Sequence, residues 1–402
     1  MNDALRGVAV VAHGGGPTHV INASLAGVYD ECRRHSPISA LYGARHGITG
    51  VIEEDFIDLS KQGPERMAGV KHAPSSALGS TRRKVSSDDY ERVLAVLRAH
   101  NIRYFFYNGG NDSMDTANRI AHLARETGYE LRTIGIPKTI DNDLAKTDHC
   151  PGYGSAALFI ACALRDIGED NRSLPAPVEV VEVMGRNAGW LVAAAALARG
   201  EPGDAPHLIY LPERRLAAGR LLADVQDVHD RLGRVVIAVC EGQLDENGEP
   251  FGADVAAADG FQHRMTGNLG HVIGELITKK LKLRSRSGKS RLLGRSSAPF
   301  ASTSDRHEAY LCGQAAVRAA VGGESAHMVS LVREPGPDYR CTTSLVPLEQ
   351  VANVERLFPG EWIHPAGNDV LPPFLDYVRP LAGPVAPNAR LEDFRVGKRV
   401  AV

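Results

Sequence analysis

Gly135-Ile136-Pro137-Lys138-Thr139-Ile140-Asp141-Asn142-Asp143 decides how this chain is read. A β-type run, Leu131 to Ile136, halts at a proline, and one ammonium, one hydroxyl and two carboxylates follow at once. A strand that ends this way places polar groups at the carboxyl edge of a sheet, where open α/β folds bind ligands. A carboxylate able to take a proton from an alcohol, beside a cation able to neutralise a moving phosphoryl group, is the equipment of phosphoryl transfer. The same letters also suit a charged surface turn, so the surroundings must decide.

Working outward, the same construction recurs. Gly7–Ala12 is a short β-type run, followed by His13-Gly14-Gly15-Gly16-Pro17-Thr18 and a helix over Val20–Arg34. Glycines let backbone N–H groups approach an anion, and a helix start favours negative charge. The loop matches neither GxGxxG nor a Walker sequence, and a merely tight turn reads equally well. Arg103–Tyr107 leads into Asn108-Gly109-Gly110-Asn111-Asp112-Ser113, with a helix over Met114–Glu126. The acid there also suits a routine helix cap. Three strand–loop–helix units in about 140 residues predict a doubly wound sheet. Between them, Ile38–Tyr42 reads as a strand, Gly43–Ile57 as an irregular or hairpin region, and Ser87–His100 as a helix. Leu78-Gly79-Ser80-Thr81-Arg82-Arg83-Lys84 places three cations after a turn, either a solvated face or a phosphate clamp.

The second half repeats the plan. After Pro151-Gly152-Tyr153-Gly154 comes a helix over Ser155–Ile167, then the strand Val178–Val183, which ends in Met184-Gly185-Arg186-Asn187. A helix over Ala188–Ala198, a strand at His207–Leu211, a helix over Leu216–Leu232 and a strand at Val235–Val239 follow. The last strand runs into Cys240-Glu241-Gly242, so Arg186 and Glu241 both stand just past strand ends. A structural Arg–Glu pair is the competing reading. Further on come a helix over Gly260–Leu281, a basic stretch (Arg284, Arg286, Lys289, Arg291, Arg295) around a short strand, and an amphipathic helix over Ser304–Val321. The remainder holds short strands and a proline-rich tail, Pro359–Pro387, expected on the surface.

Composition excludes several classes. The chain has 402 residues and a formal net charge of −2, enough length for more than one lobe and no field favouring nucleic acid or membrane. Cys32, Cys150, Cys162, Cys240, Cys312 and Cys341 lie far apart without CxxC spacing, which argues against a zinc cage or a secreted disulfide scaffold. The longest apolar stretches are too short to span a bilayer, and no amino-terminal signal is evident, so the expected home is the cytoplasm.

PKTIDND (137–143), MGRNAGW (184–190), GGNDS (109–113), GGGPTHVIN (14–22) and LGSTR (78–82) together resemble the phosphofructokinase family. Within it they are most similar to the pyrophosphate-dependent bacterial branch. The resemblance implies an α/β fold of two Rossmann-like lobes with mainly parallel sheets and the active site in the cleft between them. A donor lobe is expected at 1–150, with a later segment (about 295–402) returning to pack on the lobes, and a sugar-phosphate lobe at 151–294. It implies transfer of a phosphoryl group to the 1-hydroxyl of fructose 6-phosphate, with Mg²⁺. Asp141 matches the base, flanked by Thr139, Ile140 and Asp143. Met184, Gly185 and Arg186 match the sugar-phosphate motif, Glu241 the carboxylate that holds sugar hydroxyls, and Arg295 an arginine near the substrate phosphate. Gly15, Gly16, Arg82 and Ser113 match the donor side. Arg286 matches an arginine that reaches a neighbouring subunit's site, which implies a homo-oligomer, dimer or tetramer.

Two positions point to the donor. ATP-using relatives carry glycine where Lys138 stands, and GGDGS where this chain has GGNDS. Asp112 is expected to meet a nucleotide's α-phosphate, a repulsion of about 4 kcal/mol for charges about 4 Å apart at an effective dielectric near 20. Lys138 supplies charge to a donor that brings no adenosine, so pyrophosphate is expected. Departures from the family pattern include Asn111 as the metal-site residue in place of an aspartate, Gly14 for serine, His19, Pro177, and the substrate-side motif Leu292-Leu293-Gly294-Arg295, which lacks the aromatic or histidine and the glutamine that precede the equivalent arginine. They loosen the sugar end, leaving sedoheptulose 7-phosphate as a further acceptor. An ATP-dependent kinase and a non-catalytic sugar-phosphate-binding subunit are the alternatives. A Rossmann oxidoreductase lacks its fingerprint here.

Overall fold

A computed structural model describes residues 5–174, 177–252, 268–397 and 399. Its strands in chain order are β1 (Gly7–His13), β2 (Ile38–Ala44), β3 (Phe56–Asp58), β4 (Ile102–Gly109), β5 (Arg132–Pro137), β6 (Val178–Val183), β7 (Leu208–Tyr210), β8 (Val235–Cys240), β9 (Ser285–Lys289), β10 (His327–Arg333) and β11 (Cys341–Pro347). They form a seven-stranded sheet, β11-β10-β5-β4-β1-β2-β3, and a four-stranded sheet, β7-β8-β6-β9. The second is parallel throughout, and the first is parallel except where β3 and β11 close its edges antiparallel. Mostly parallel sheets must be covered on both faces, which is why β1 reads as an unbroken apolar run and is buried along its whole length.

The covering helices follow from that demand. Val10 and Ala12 face Val93, Leu97, Met114 and Ile120, from the helices Ser87–Ala99 and Asn111–Glu126. Ala9 and Val11 face Leu25, Val28, Cys312 and Ala316, from the helices Ile21–Cys32 and Thr303–Val321. The latter two helices approach so closely that a Cβ on Gly27 would lie 2.1 Å from the Tyr310 carbonyl oxygen. Thr303–Val321, expected to be amphipathic, is buried on most of its circumference, including Asp305, Glu308 and Gln314. Asp305 explains its burial: its carboxylate accepts from the N–H groups of Gly152 (2.8 Å) and Ser155 (2.9 Å), capping the helix Tyr153–Ser173.

In the first sheet the chain steps from β1 outward to β2, then returns to β4 on the other side of β1. Loops leaving β1 and β4 therefore diverge and open a crevice at their carboxyl ends. The glycine loop after β1, the Gly110–Ser113 turn and the Lys138–Asp143 loop all emerge along that edge. In the second sheet β6 and β8 are neighbours, so the loops holding Arg186 and Glu241 emerge side by side.

Some expectations are corrected. The Gly43–Ile57 region is neither irregular nor a simple hairpin: the helix Ile48–Glu53 intervenes before β3 turns back on β2. The Ala188–Ala198 helix is one α-turn, Trp190–Ala193, continued as 3₁₀ through Ala198. The first part of the helix expected over Gly260–Leu281 lies outside the described residues, and Leu269–Leu281 is helical. The largest correction is the proline-rich tail, which is core rather than surface. Pro372 and Pro373 open the helix Pro372–Ala382, where a missing N–H costs nothing. Phe374, Val378, Leu381 and Ala382 are buried in it. With Phe358 they join Trp190 and Tyr153 in the core of the second lobe, where the Trp190 and Phe358 ring centroids are 5.1 Å apart. Among the described residues, no helix is long and apolar enough to cross a membrane. Phe374→Ala should therefore destabilise the protein by about 3–5 kcal/mol in urea titration, whereas a surface tail would leave the midpoint unmoved.

Candidate active site

The glycine loop after β1 is shaped by what crowds it. Gly14 N–H donates to the Asn108 carbonyl (2.9 Å) and Gly15 N–H to the Thr81 carbonyl (2.9 Å). These bonds tie the loop to β4 and to the segment carrying Arg82. Gly15 has φ +77°, and a Cβ there would stand 3.3 Å from Lys138 Nζ. A Cβ on Gly16 would stand 3.0 Å from a terminal nitrogen of Arg295 and 3.7 Å from one of Arg82. Glycine here keeps backbone and three cations in one small space. Ser113, buried beside it, packs so close that a Cβ on Gly14 would lie 2.1 Å from its Oγ. His13 is fully buried below, its Nδ1 2.7 Å from Ser76 Oγ. Burial first, and the Lys138 charge second, push its imidazole down to about 3, so it adds no charge.

Lys138 is 3% exposed and donates through Nζ to the Gly16 carbonyl at 2.7 Å. Burial lowers its ammonium to about 8, against the pull of Asp141 and Asp143 and with a push from Arg295 and Arg82. Asp141 moves the opposite way: burial and then Asp143 raise its carboxyl to about 7, with Arg186 opposing. An acid and an ammonium that change charge at about 7 and about 8, in one cluster, can exchange protons with a substrate hydroxyl. The loop that carries both is pinned by its neighbours. Asn142 takes φ +56°, its side-chain oxygen accepts from Cys150 N–H (2.9 Å), and its amide donates to Tyr377 Oη (3.0 Å). Thr139 Oγ1 accepts from Asp141 N–H at 3.1 Å, while Ile140 is buried in the second-lobe core. Asp143 keeps one carboxylate oxygen buried without a partner.

Across the cleft, Glu241 Oε1 accepts from the N–H groups of both Gly185 and Arg186, at 3.4 Å each. This folds the loop back so that Arg186, with φ +49°, leaves its side chain exposed. Gly242 is required there, since a Cβ would lie 1.7 Å from the Arg186 carbonyl oxygen. Met184 closes the motif against Gly294. Arg295 reaches Gly16 and Asp141 together, with Nε buried and unpartnered and burial lowering its guanidinium. It is thereby placed beside the donor loop.

Three expected residues stand elsewhere. Leu292 is 63% exposed. Arg286 is exposed on β9, in register with Glu179 of β6, four positions short of that strand's end. It therefore lies about 13 Å below the edge that carries Arg186. Asn111 turns to a distant segment: its oxygen accepts from Asn353 N–H (2.6 Å), and its amide donates to the Val354 carbonyl (2.7 Å). The geometry thus engages Asn111 as a clip between chain segments, its oxygen already accepting one hydrogen bond. Asp112 is exposed in the first turn of the helix Asn111–Glu126, which begins earlier than Met114. Sequence reading missed Asn142, Gly242, Arg356 and Tyr377. Only Gly242, directly after Glu241, carried a local signal.

The phosphofructokinase family model matches residues 8–320. The chain belongs to the phosphofructokinase family. It is 42% identical over 401 residues to the pyrophosphate–fructose 6-phosphate 1-phosphotransferase of Rhodospirillum rubrum, covering 98% of each chain. Phosphofructokinases of known structure agree in fold. The pyrophosphate-dependent phosphofructokinase from Nitrosospira multiformis has a TM-score of 0.86 at 35% identity, covering 98% of both chains. That from Marinobacter aquaeolei has 0.85 at 36%, covering 96% of this chain and 94% of its own. The two-lobed α/β architecture and the placing in this family read from the motifs both hold.

The raised carboxyl of Asp141 carries a stability consequence. A group whose folded value lies above its unfolded one favours the fold when protonated, and that contribution fades as pH rises from about 4 towards about 7. Asp141→Asn mimics the neutral acid. It should unfold later than the parent at pH 8, by up to about 4 kcal/mol, with the gap narrowing to about 2 kcal/mol at pH 5. Thermal melts across that range check it; a pH-independent gap would contradict the burial argument.

Proposed function

We propose that this chain catalyses reversible phosphoryl transfer from pyrophosphate to the 1-hydroxyl of fructose 6-phosphate, giving fructose 1,6-bisphosphate and phosphate. The observation that carries the chemistry is the buried Lys138 ammonium and the half-buried Asp141 carboxyl on one loop, each within reach of the other's charge. Asp141 accepts the hydroxyl proton as the sugar oxygen bonds to phosphorus and the bridging P–O bond of the donor breaks. Lys138 neutralises charge on the transferred group, and run backwards Asp141 returns the proton. Gly15 and Gly16 present backbone to the donor, with Arg82 and Ser113 beside them. Thr139, Met184, Gly185, Arg186 and Glu241 form the sugar side, and Arg295 is placed to serve both.

Mg²⁺ fits the residues present. Asp143 offers a buried carboxylate oxygen without a partner, a hard donor suited to the ion, and Asp141 stands close enough to raise electrostatic cost that a cation would relieve. When bound, the ion supplies charge neutralisation to the diphosphate oxygens. The donor lobe is built from residues up to about 150 with β10 and β11, and the sugar lobe from the second sheet with the aromatic tail. Arg286, remote from its own chain's cluster, is assigned to a neighbouring subunit of a cytoplasmic homo-oligomer.

Donor choice is shared between groups. Asp112 is exposed, so its repulsion of a nucleotide phosphate ranges from about 1 kcal/mol at water's dielectric to about 4 in a closed site. A coupled assay with Mg²⁺, run with both donors and both ketose phosphates, should give turnover from pyrophosphate and fructose 6-phosphate. Asp112→Gly should improve ATP use between about 5-fold and several hundredfold. Equal use of ATP by the parent, or no turnover with either donor, would overturn the reading.

A further inference from the structure

The segment Asn353–Arg356 belongs to none of the motifs, yet it is joined to three of the loops that form the cleft. At the β4 loop it holds Asn111 through Asn353 N–H and the Val354 carbonyl, and the Asn353 amide donates to Asp115 (3.0 Å). At the β6 loop, the Glu355 carboxylate accepts from Asn187 (3.3 Å), the residue after Arg186. At the β5 loop, Glu355 bridges Leu144 antiparallel, and Arg356 N–H donates to the Asp143 carbonyl at 2.7 Å. The Arg356 guanidinium then donates to the carbonyls of Asn142 (2.9 and 3.2 Å), Thr147 (2.8 Å) and Asp148 (2.5 Å). Its plane lies over Trp190, 4.5 Å from the ring centroid, and the indole N–H donates to the Arg356 carbonyl at 3.0 Å.

We propose that Arg356 is a positioning residue for phosphoryl transfer: it fixes the loop Asp141–Asp148 so that Asp141 faces Lys138 and Arg186 while Asp143 keeps an oxygen free. The proposal rests on the pyrophosphate-dependent reading above. Asn142 is held in left-handed backbone, a region that asparagine tolerates better than most non-glycine residues. Here its carbonyl takes two Arg356 N–H groups, while Tyr377 Oη accepts from its amide and donates to the Asp148 carbonyl (2.8 Å). A planar guanidinium can serve three carbonyls and still stack on an indole; a lysine ammonium, a compact point donor, cannot. Arg356 touches backbone rather than the cluster's charged atoms, so its influence on the reaction runs through where Asp141 and Asp143 stand. A shift of about 1 Å in such a group costs on the order of a hundredfold in rate.

Arg356→Lys and Tyr377→Phe, made in the full chain and assayed beside the parent, test this. Measured together are kcat, KM for pyrophosphate and for fructose 6-phosphate, and the melting temperature. Arg356→Lys should lose about 50-fold or more in kcat with both KM values within about threefold, and added guanidinium should restore part of kcat in Arg356→Ala. Tyr377→Phe, which keeps the ring packed, should lose about 5-fold in kcat with both KM values unchanged and a melting temperature lowered by no more than a few degrees. Unchanged kcat in Arg356→Lys, or a lowered melting temperature with parental kcat, would overturn the positioning role. Should Arg356→Lys fail to fold, Tyr377→Phe decides, and parental kcat there overturns it. An inactive parent would sink the pyrophosphate reading instead, so the two failures are distinguishable.

Discussion

Removing the Lys138 ammonium from water is the constraint to which the rest of the cleft answers. A buried cation is costly unless it is paired and hydrogen-bonded. Here the compensation is incomplete: one Gly16 carbonyl at 2.7 Å, the pull of two carboxylates, and the push of two nearby arginines. Burial wins, and the ammonium is held near the point of losing its proton. An ammonium has three donors, and the Gly16 carbonyl takes one, which leaves capacity for phosphate oxygens. The same dryness acts on Asp141 with the opposite sign. One environment thus prepares a cation to greet an anionic donor and a carboxyl to take a proton at neutral pH.

That environment is assembled from both lobes. The first sheet supplies the glycine loop and the Lys138 loop along the crevice where β1 and β4 diverge. The second sheet supplies Arg186, held by Glu241 through two backbone N–H groups. Neither sheet fixes the distance between the loops. The aromatic core around Trp190 does so in part, because it joins the MGRNAGW loop to Tyr377 and Phe358 of the late segment. Glu213 adds a tie, accepting from Gly189 and Phe358 N–H groups at 2.8 Å each. The carboxyl-terminal region is therefore part of the active-site frame.

The strands and their polar loops were legible because each is a short apolar run cut off by glycine or proline. PKTIDND was legible because charge is dense immediately after a strand. What escaped reading was non-local. Arg356 meets Asn142 across 214 positions and Tyr377 meets it across 235, and no periodicity announces such pairs. Asn111 stands where the family places a metal-binding aspartate, yet its hydrogen-bond partners lie more than 240 positions away. The tail was misread for a different reason. Its prolines drew attention from Phe374, Val378, Leu381 and Ala382, whose spacing is that of one helical face. Asp112 illustrates a limit of motif reasoning: the letter gives a charge, but its exposure sets how strongly that charge acts.

Competitive acylation of lysines as a function of pH, read by mass spectrometry of the unliganded protein, tests the buried ammonium most directly. Lys138 should show a labelling midpoint near 8, well below the surface lysines, and pyrophosphate should suppress its labelling. A midpoint with the surface lysines, near about 10.4, would mean that Lys138 is solvated and that burial does not organise this site.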